Sequence, residues 1–254
     1  MLGARENLEA SDEGGQRPVR GRLFKRYPPI ADASRSGDFS FSFLLLLSLS
    51  ITLVIIIITV LVSIQGFSRI AIVEKLKHHP YSEVRNGEWY RLLTSGFVHG
   101  GWVHLLINMF VLYSFGAHIE QVFAGIWGTT LGLIMYLVMY LAAIIAGDLP
   151  TLARHKDNPA YASIGASGAV SAVVFIFIFL YPWEMLYLYG ILPIPAIVGG
   201  IAYLIYSSWA SRKSNDRIDH LAHFYGAVFG VVFMIAFKPS LVGHFIRSVS
   251  DLPF

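Results

Sequence analysis

The sequence predicts an all-α integral membrane protein, a bundle of six transmembrane helices with an interfacial loop between the first two. Of its 254 residues, 55% are hydrophobic and 14% are charged, whereas ordinary soluble domains carry about 25% charged residues. Several apolar runs reach the length of about 20 residues that an α-helix needs to cross a bilayer. The predicted spans, which leave little chain for a soluble domain, are 43–64, 102–122, 126–147, 164–181, 185–208 and 219–237.

The segment before the first span, residues 1–38, is predicted to be a cytoplasmic tail. The tail has no apolar periodicity, so we expect it to be mostly disordered. The membrane domain follows over 39–240, and 241–254 is a short C-terminal tail that six spans return to the cytoplasm. The basic residues of the N-terminal tail, which the positive-inside rule assigns to the cytoplasm, are Arg5, Arg17, Arg20, Arg22, Lys25, Arg26 and Arg35.

Composition and charge exclude several classes of function. The 19 Lys and Arg residues against 16 Asp and Glu do not indicate a nucleic-acid partner, because the basic residues cluster at the ends of apolar runs. The absence of cysteine excludes disulfides, thiol catalysis and Cys-ligated metals. We expect neither a metal nor a cofactor, and the partner that the composition indicates is the lipid bilayer.

Strongly polar side chains within the spans are costly, and such residues usually face the interior of a helix bundle. The second span contains His104 and Asn108, whose i,i+4 spacing places both on one helix face. Both side chains can donate hydrogen bonds. The pair indicates either a hydrogen-bonded clamp between helices or a pair of functional donors.

The fourth span opens with the segment GASG, which begins at Gly165. Backbone N–H groups at the start of a helix lack partners and favour negative charge, so Ser167 offers a hydroxyl for attack and amides to hold an oxyanion. The alternative is structural, because Gly168 and Ala172 would let a neighbouring helix approach closely. The segment is not the nucleophile elbow of soluble hydrolases, since Ala169 stands where that motif needs glycine.

The sixth span carries a stripe of small residues, Ala222, Gly226 and Gly230, at i,i+4,i+8 spacing. Such a stripe lets one helix pack closely against another. His223 borders the stripe, so packing of the stripe against the start of the fourth span would bring His223 near Ser167. A histidine within hydrogen-bond reach is what a serine needs to become a nucleophile.

Two residues near His223 leave alternatives open. His220 is a rival base, but it lies off the stripe and nearer to water. Asp219, four residues before His223, either orients the imidazole or caps the helix.

The connection between the first two spans, residues 66–101, is long for a bundle loop, and such length is often functional. Its segment EWYR contains Trp89 and Arg91. Taken alone, this segment is typical of an aromatic belt at the membrane interface with a snorkelling arginine.

Taken together and in this order, these segments resemble the rhomboid family of intramembrane serine proteases over residues 66–237. The resemblance implies a rhomboid bundle of six helices. The matched motifs are W-x-R (Trp89, Arg91), H-x-x-x-N (His104, Asn108), G-x-S-G (Gly165, Ser167, Gly168) and A-H-x-x-G-x-x-x-G (Ala222, His223, Gly226, Gly230).

The resemblance implies a Ser–His dyad, with Ser167 as nucleophile and His223 as general base. It further implies an oxyanion hole formed by His104, Asn108 and the backbone N–H of Ser167, while the other matched residues would be structural. His99, in the first loop, resembles a histidine for which we expect a structural role. The implied substrates are single-span or multi-span membrane proteins. The minimal architecture favours a bacterial inner membrane, with an internal eukaryotic membrane as the alternative.

One position departs from the family pattern. An aromatic residue often follows the nucleophile by four and stacks on the histidine, but here that position is Ser171. We expect His223 to be oriented another way, by the Ser171 hydroxyl, by Phe224 or by Tyr225.

Two other functions compete with proteolysis. The first is a proteolytically inactive rhomboid-like protein that binds membrane helices. The second is a small transporter, which is disfavoured because the sequence shows no inverted repeat. If the chain is a protease, the fifth span is the predicted site of substrate entry, because Pro193, Pro195 and the pair Gly199-Gly200 would make it the least rigid.

Overall fold

The computed structural model describes residues 50–188, 191–213 and 218–251. The predicted tail, 1–38, and the beginning of the first predicted span lie outside these residues. The elements, in chain order, are α1 (Ile51–Ser68), α2 (Ile70–Leu76), α3 (Pro80–Asn86), α4 (Arg91–Thr94), a 3₁₀ turn (Ser95–Phe97), α5 (Trp102–Trp127), α6 (Thr129–His155), α7 (Ser167–Leu180), β1 (Met185–Leu188), β2 (Leu192–Pro195), α8 (Ala196–Lys213), α9 (His220–Phe237) and α10 (Ser240–Ser250).

The predicted class, a largely helical membrane protein, is confirmed. Among the described residues, α1, α5, α6 and α9 are each long and apolar enough to cross a membrane. The helix α7 is apolar but has only 14 residues, and α8 completes a set of six helices that is compatible with the predicted number of spans. We conclude that the chain is an integral, multi-pass membrane protein.

The start of the fifth span was predicted wrongly. Residues Met185–Leu188 and Leu192–Pro195 form an antiparallel hairpin rather than the beginning of a helix, and α8 begins only at Ala196. Proline has no N–H to donate and biases the preceding residue towards extended backbone, so Pro193 and Pro195 suit a short strand. The two prolines therefore lie before α8 and cannot kink it.

The short helix α7 lies in the middle of the bundle. Eleven of its 14 residues are buried, on every side of the helix, which is typical of a helix surrounded by others. Its 14 residues rise about 21 Å, less than the roughly 30 Å of a bilayer hydrocarbon core. A helix of this length cannot reach both surfaces of the membrane.

The helix α1 is apolar on its exposed side and carries small polar residues on its buried side. Its buried side chains include Thr52, Thr59 and Ser63, whereas Ile57 and Leu61 are exposed. Apolar residues outward and small polar residues inward are the arrangement that suits hydrocarbon solvent, where unpaired polar groups are costly.

Glu120 of α5 fixes the beginning of α1. The first N–H groups of a helix lack intrahelical partners. The buried Glu120 carboxylate accepts hydrogen bonds from the backbone N–H groups of Ile51 (2.8 Å) and Thr52 (2.9 Å) and from the Ser50 hydroxyl (2.6 Å). The carboxylate thus supplies the missing partners and ties the first span to the second.

The predicted C-terminal tail begins within a helix, α10, that is docked on the bundle. The Trp183 indole donates to the backbone carbonyl of Ser248 (2.8 Å). The His244 ring hydrogen-bonds the carbonyl of Leu180 (3.0 Å) at the end of α7, and Phe245 stacks on Phe179. These contacts cap the end of α7 away from Ser167.

Candidate active site

The helices α7 and α9 meet at backbone distance through their small residues. A Cβ added to Gly226 would overlap the carbonyl oxygen of Gly168, and one added to Gly230 would lie 2.5 Å from the carbonyl oxygen of Ala172. Only glycine permits such an approach. The packing predicted from the small-residue stripe is therefore present in the structure.

The helix α6 completes this contact. A Cβ on Gly147 would lie 3.1 Å from the carbonyl oxygen of Ala222 and 3.6 Å from the Cα of Gly168. Three helices therefore converge at the beginning of α7, where one glycine or alanine from each meets the other two.

Ser167 and His223 adjoin this convergence. Ser167 is the first residue of α7 and precedes Gly168, and His223 is the fourth residue of α9 and follows Ala222. An added Cβ on Gly168 would lie 3.2 Å from the Ala222 carbonyl oxygen. Gly168 and Ala222, which adjoin the two candidate residues in the chain, are therefore in close contact. Ser167 and His223 are both half-buried, which leaves each side chain some access to its surroundings.

His104 lies against the turn that leads to Ser167. Gly165 has φ +127°, a conformation that favours glycine. An added Cβ there would lie 2.7 Å from Cε1 and 2.9 Å from Nε2 of His104. The turn therefore needs glycine both for its backbone and for the space that the His104 imidazole occupies.

Asn108 is buried on the same face of α5 as His104. Its side-chain amide donates to the His104 carbonyl oxygen (2.9 Å). This hydrogen bond stays within α5, so it does not form the clamp between helices that was one of the two predicted roles of the pair. The amide has a second N–H.

His99 supports the same turn from the first loop. The Ser63 hydroxyl donates to the Phe97 carbonyl, so His99 Nδ1–H donates to Ser63 (3.1 Å) and Nε2 is left to face the backbone N–H of Ala166 at 3.5 Å. This tautomer is assigned from the hydrogen-bond network. Burial, together with the nearby His104 ring, lowers the pKa of His99 to about 3. His99 is therefore neutral and acts as a structural support.

Asp219 caps α9. Its carboxylate accepts hydrogen bonds from the backbone N–H of Ala222 (3.0 Å) and from the side chains of Thr151 (2.9 Å), Tyr161 (3.1 Å) and Ser163 (3.1 Å). Of the two roles considered from the sequence, the structure shows the cap. The cap also joins α9 to α6 and to the connection that precedes α7.

His220, the rival base, is buried at the beginning of α9. Its ring is edge-on to Tyr206 of α8, with the ring centroids 5.5 Å apart, and edge-on to His223 at 5.9 Å. A polar cavity of about 280 Å³, lined in part by Tyr161, Asp219 and His220, opens beside it at the ends of α6, α8 and α9.

The ring stacked on His223 is Tyr203 of α8, a residue that the sequence did not single out. Their centroids are 6.2 Å apart and their planes differ by 17°. The Tyr203 hydroxyl shares a 2.8 Å hydrogen bond with Ser171. Tyr225, one of the three residues expected to orient His223, is exposed, and Phe224 packs edge-on against it.

Comparison of the sequence with known proteins identifies the family of the chain. A family model described as "Rhomboid domain" matches residues 86–240, which is more than half of the chain and includes every helix of the bundle except α1. The chain belongs to the rhomboid family. The predicted resemblance is thereby confirmed.

Several curated rhomboids are similar to this chain. RHOMBOID-like protein 12, mitochondrial, of Arabidopsis thaliana is 30% identical over 58% of the chain and 46% of its own length. Putative rhomboid protease YdcA of Bacillus subtilis is 29% identical over 61% of the chain and 69% of its own length. Rhomboid protein 1, mitochondrial, of Saccharomyces cerevisiae is 32% identical over 56% and 40%.

The aligned part of this rhomboid thus spans less than half of the plant and yeast proteins and about two thirds of the Bacillus protein. The names of these relatives describe a rhomboid protease in Bacillus and mitochondrial proteins in plant and yeast. Among the described residues, no group of three or more His, Asp and Glu side chains could hold a metal ion.

The tryptophan–arginine motif of this rhomboid stabilises the first loop. Arg91 is 9% exposed. Its guanidinium donates to the backbone carbonyls of Glu74 (2.7 Å) and Lys77 (3.2 Å) and pairs with Glu88, and this pairing lowers the pKa of the Glu88 carboxyl. Arg91 therefore closes the end of α2 and does not snorkel, while Trp89 is exposed at the loop surface.

A buried ion pair holds the first loop of this rhomboid to the connection before α7. The Nδ1 of His78 lies 2.7 Å from Oε1 of Glu83, and both side chains are fully buried. The backbone of His78 pairs with that of Ser163. Burial lowers the pKa of His78, but the hydrogen bond to Glu83 and the charges of Asp148, Glu83 and Asp219 outweigh it, so its pKa is raised.

The raised pKa of His78 predicts a pH-dependent stability. Its contribution is complete below about 6.5, the pKa of an unfolded histidine, and is lost as the pH rises through the raised folded value. We expect His78→Gln to lower the free energy of unfolding by about 3 kcal/mol at acidic pH and by less at alkaline pH. Unfolding titrations in detergent at several pH values measure this difference.

The control is the exposed ion pair between Arg85 and Asp157. Arg85→Gln is expected to cost less than about 1 kcal/mol with no dependence on pH through the histidine range. A loss in His78→Gln that is equal at acidic and alkaline pH would contradict the assignment of a charged His78.

Proposed function

We propose that this rhomboid is an intramembrane serine endopeptidase with Ser167 as nucleophile and His223 as general base. The observation that supports this most strongly is the backbone contact of Gly168 with Gly226 and Ala222. Gly168 follows Ser167 in the chain, Ala222 precedes His223, and Gly226 lies one turn after His223. His223 would take the Ser167 proton as the hydroxyl attacks a carbonyl, and would return it to the leaving amine.

The proposed oxyanion hole lies at the beginning of α7. The backbone N–H of Ser167 belongs to the first turn, whose amides favour negative charge. The His104 ring against Gly165 and the second N–H of the Asn108 amide are the proposed side-chain donors. Donors fixed before the reaction stabilise the charge that develops on the attacked carbonyl oxygen.

Hydrolysis also requires water within the bilayer. A helix of 14 residues is too short to reach both membrane surfaces, and we propose that the first residue of α7 is the end that lies within the membrane. The polar cavity beside Asp219 and His220 opens one turn from His223. We propose that water enters from this side of the bundle and hydrolyses the acyl-enzyme, which releases the product from Ser167.

The proposed substrates are single-span or multi-span membrane proteins cleaved within a transmembrane helix. A helix hides its carbonyls in its own hydrogen bonds, and exposing one in hydrocarbon costs several kcal/mol. We therefore expect substrates to carry small or helix-breaking residues near the end of the span that enters the site.

The experiment that tests this function is cleavage of single-span reporter proteins by the purified chain reconstituted in liposomes. Products cut within the span support the protease, whereas binding without cleavage would favour the inactive rhomboid-like protein.

In this assay we expect Asn108→Ala to lower the cleavage rate by about 10²–10³-fold without abolishing it, because one oxyanion donor is lost.

Ser114→Ala is the matched control for Asn108→Ala. Ser114 lies on the same helix, is exposed, and donates only to the backbone of its own helix at Phe110 (2.8 Å), so we expect an unchanged rate. Full activity of Asn108→Ala would remove Asn108 from the proposed oxyanion hole.

The membrane in which the chain resides is a separate proposal. The basic N-terminal segment and the Bacillus relative support a bacterial inner membrane with the N-terminus in the cytoplasm, although other relatives have mitochondrial names. Protease protection of a tag at Met1 in inverted vesicles tests the orientation, and digestion of the tag in these vesicles would support it.

A further inference from the structure

Ser171, a buried residue with a small side chain, lies one turn after Ser167 on α7. The Tyr203 ring belongs to a different helix, α8, and lies nearly parallel to the His223 imidazole, with the ring centroids 6.2 Å apart. This separation is within the range in which aromatic rings attract one another.

Two contacts on α7 hold the Tyr203 ring in place. Its hydroxyl shares a 2.8 Å hydrogen bond with the buried Ser171 hydroxyl. Its ring packs against Phe175, one turn further along α7, with centroids 5.7 Å apart and planes inclined by 44°. These two contacts therefore fix the Tyr203 ring independently of His223.

The backbone of α8 is close enough to maintain this geometry. A Cβ added to Gly200, three residues before Tyr203, would lie 3.0 Å from the Ile178 side chain of α7. Gly200 thus lets α8 approach α7 one turn before Tyr203.

We propose that Tyr203 is a positioning residue that sets the His223 imidazole for proton transfer, with Ser171 holding the tyrosine. This proposal rests on the Ser167–His223 dyad proposed above. Tyr203 does not touch the reacting atoms, and it acts by restricting the rotation of the histidine ring. The positioning ring and the nucleophile are then supplied by different helices, α8 and α7.

The test measures the rate at which a fluorophosphonate probe labels Ser167 in detergent, because a small probe does not depend on how a substrate helix enters. We expect Tyr203→Leu to label about tenfold more slowly than the unmodified chain, the effect of losing an aromatic pair. Tyr203→Phe keeps the ring and is expected to stay within about threefold, since only one neutral hydrogen bond is lost.

A swap separates positioning from general packing. In the double variant Ser171→Tyr, Tyr203→Ser, the ring comes from α7 and the hydroxyl from α8, so we expect labelling to recover to within about threefold of the unmodified rate. Tyr206→Leu is the matched control on α8, because its ring contacts His220 instead of His223. It is expected to label at the unmodified rate with an unchanged melting temperature.

Each outcome bears on one proposal. Undiminished labelling of Tyr203→Leu, or an equal loss in Tyr206→Leu, overturns the positioning role while leaving the dyad in place. Failure of the swap to recover, when its melting temperature matches that of the unmodified chain, also overturns it. Labelling of the unmodified chain that persists in Ser167→Ala overturns the dyad itself.

Discussion

Ser167→Ala is expected to reduce cleavage of a membrane-protein substrate by on the order of 10⁶-fold, below detection in most assays. The reason is chemical, because the alanine methyl group has no oxygen to form the acyl-enzyme. The half-buried Ser167 side chain makes a small contribution to packing, so we expect the melting temperature of the variant to stay close to that of the unmodified chain. The measurement is product formation from a reconstituted single-span substrate.

The matched control is Ser163→Ala, a substitution four residues earlier in the chain. The Ser163 hydroxyl donates to Asp219 (3.1 Å), which keeps its hydrogen bonds from Thr151, Tyr161 and Ala222. We expect this variant to retain most of its activity. Cleavage by Ser167→Ala at the unmodified rate would mean that the nucleophile is a different residue.

Gly226→Ala is expected to have the second large effect, on both stability and activity. The added Cβ would overlap backbone atoms of Gly168, including its carbonyl oxygen, and backbone cannot rotate away as a side chain can. Overpacking of this kind costs about 1–3 kcal/mol or more. We expect a lower free energy of unfolding in detergent and loss of cleavage, because α7 and α9 must separate.

Gly199→Ala is the control for this variant. Gly199 lies in α8, and an added Cβ would meet the Ile194 side chain at 3.8 Å, an ordinary packing distance. The same substitution there is expected to leave both stability and activity nearly unchanged. If Gly226→Ala behaves like Gly199→Ala, the close helix contact does not hold the site together.

Periodicity and small-residue spacing predicted the parts of the structure that depend on local sequence. The apolar runs placed the second, fourth and sixth spans within about five residues of their helices, because length and hydrophobicity alone decide whether a helix crosses a bilayer. They were less accurate for the third span, since α6 continues to His155, beyond the predicted end at 147. The stripe of Ala222, Gly226 and Gly230 predicted the contact with α7, since small residues four apart form one continuous helix face.

Features that depend on contacts between distant segments could not be predicted from the sequence. Tyr203 lies on a helix whose orientation no local pattern indicates, so its stack on His223 could not be foreseen. The clamp of Arg91 on Glu74 and Lys77 likewise depends on the path of the loop. Pro193 and Pro195 favour the hairpin before α8, but the apolar character of the segment predicts the beginning of a helix.

The central claim is that one hydroxyl and one imidazole act together where α7 and α9 meet. Fluorophosphonate labelling of the purified chain, with the modified residue mapped by mass spectrometry, tests it most directly. The account predicts modification at Ser167 that is lost in a folded His223→Ala variant. Modification at another residue, or labelling of Ser167 that is as fast without His223 as with it, would contradict the account.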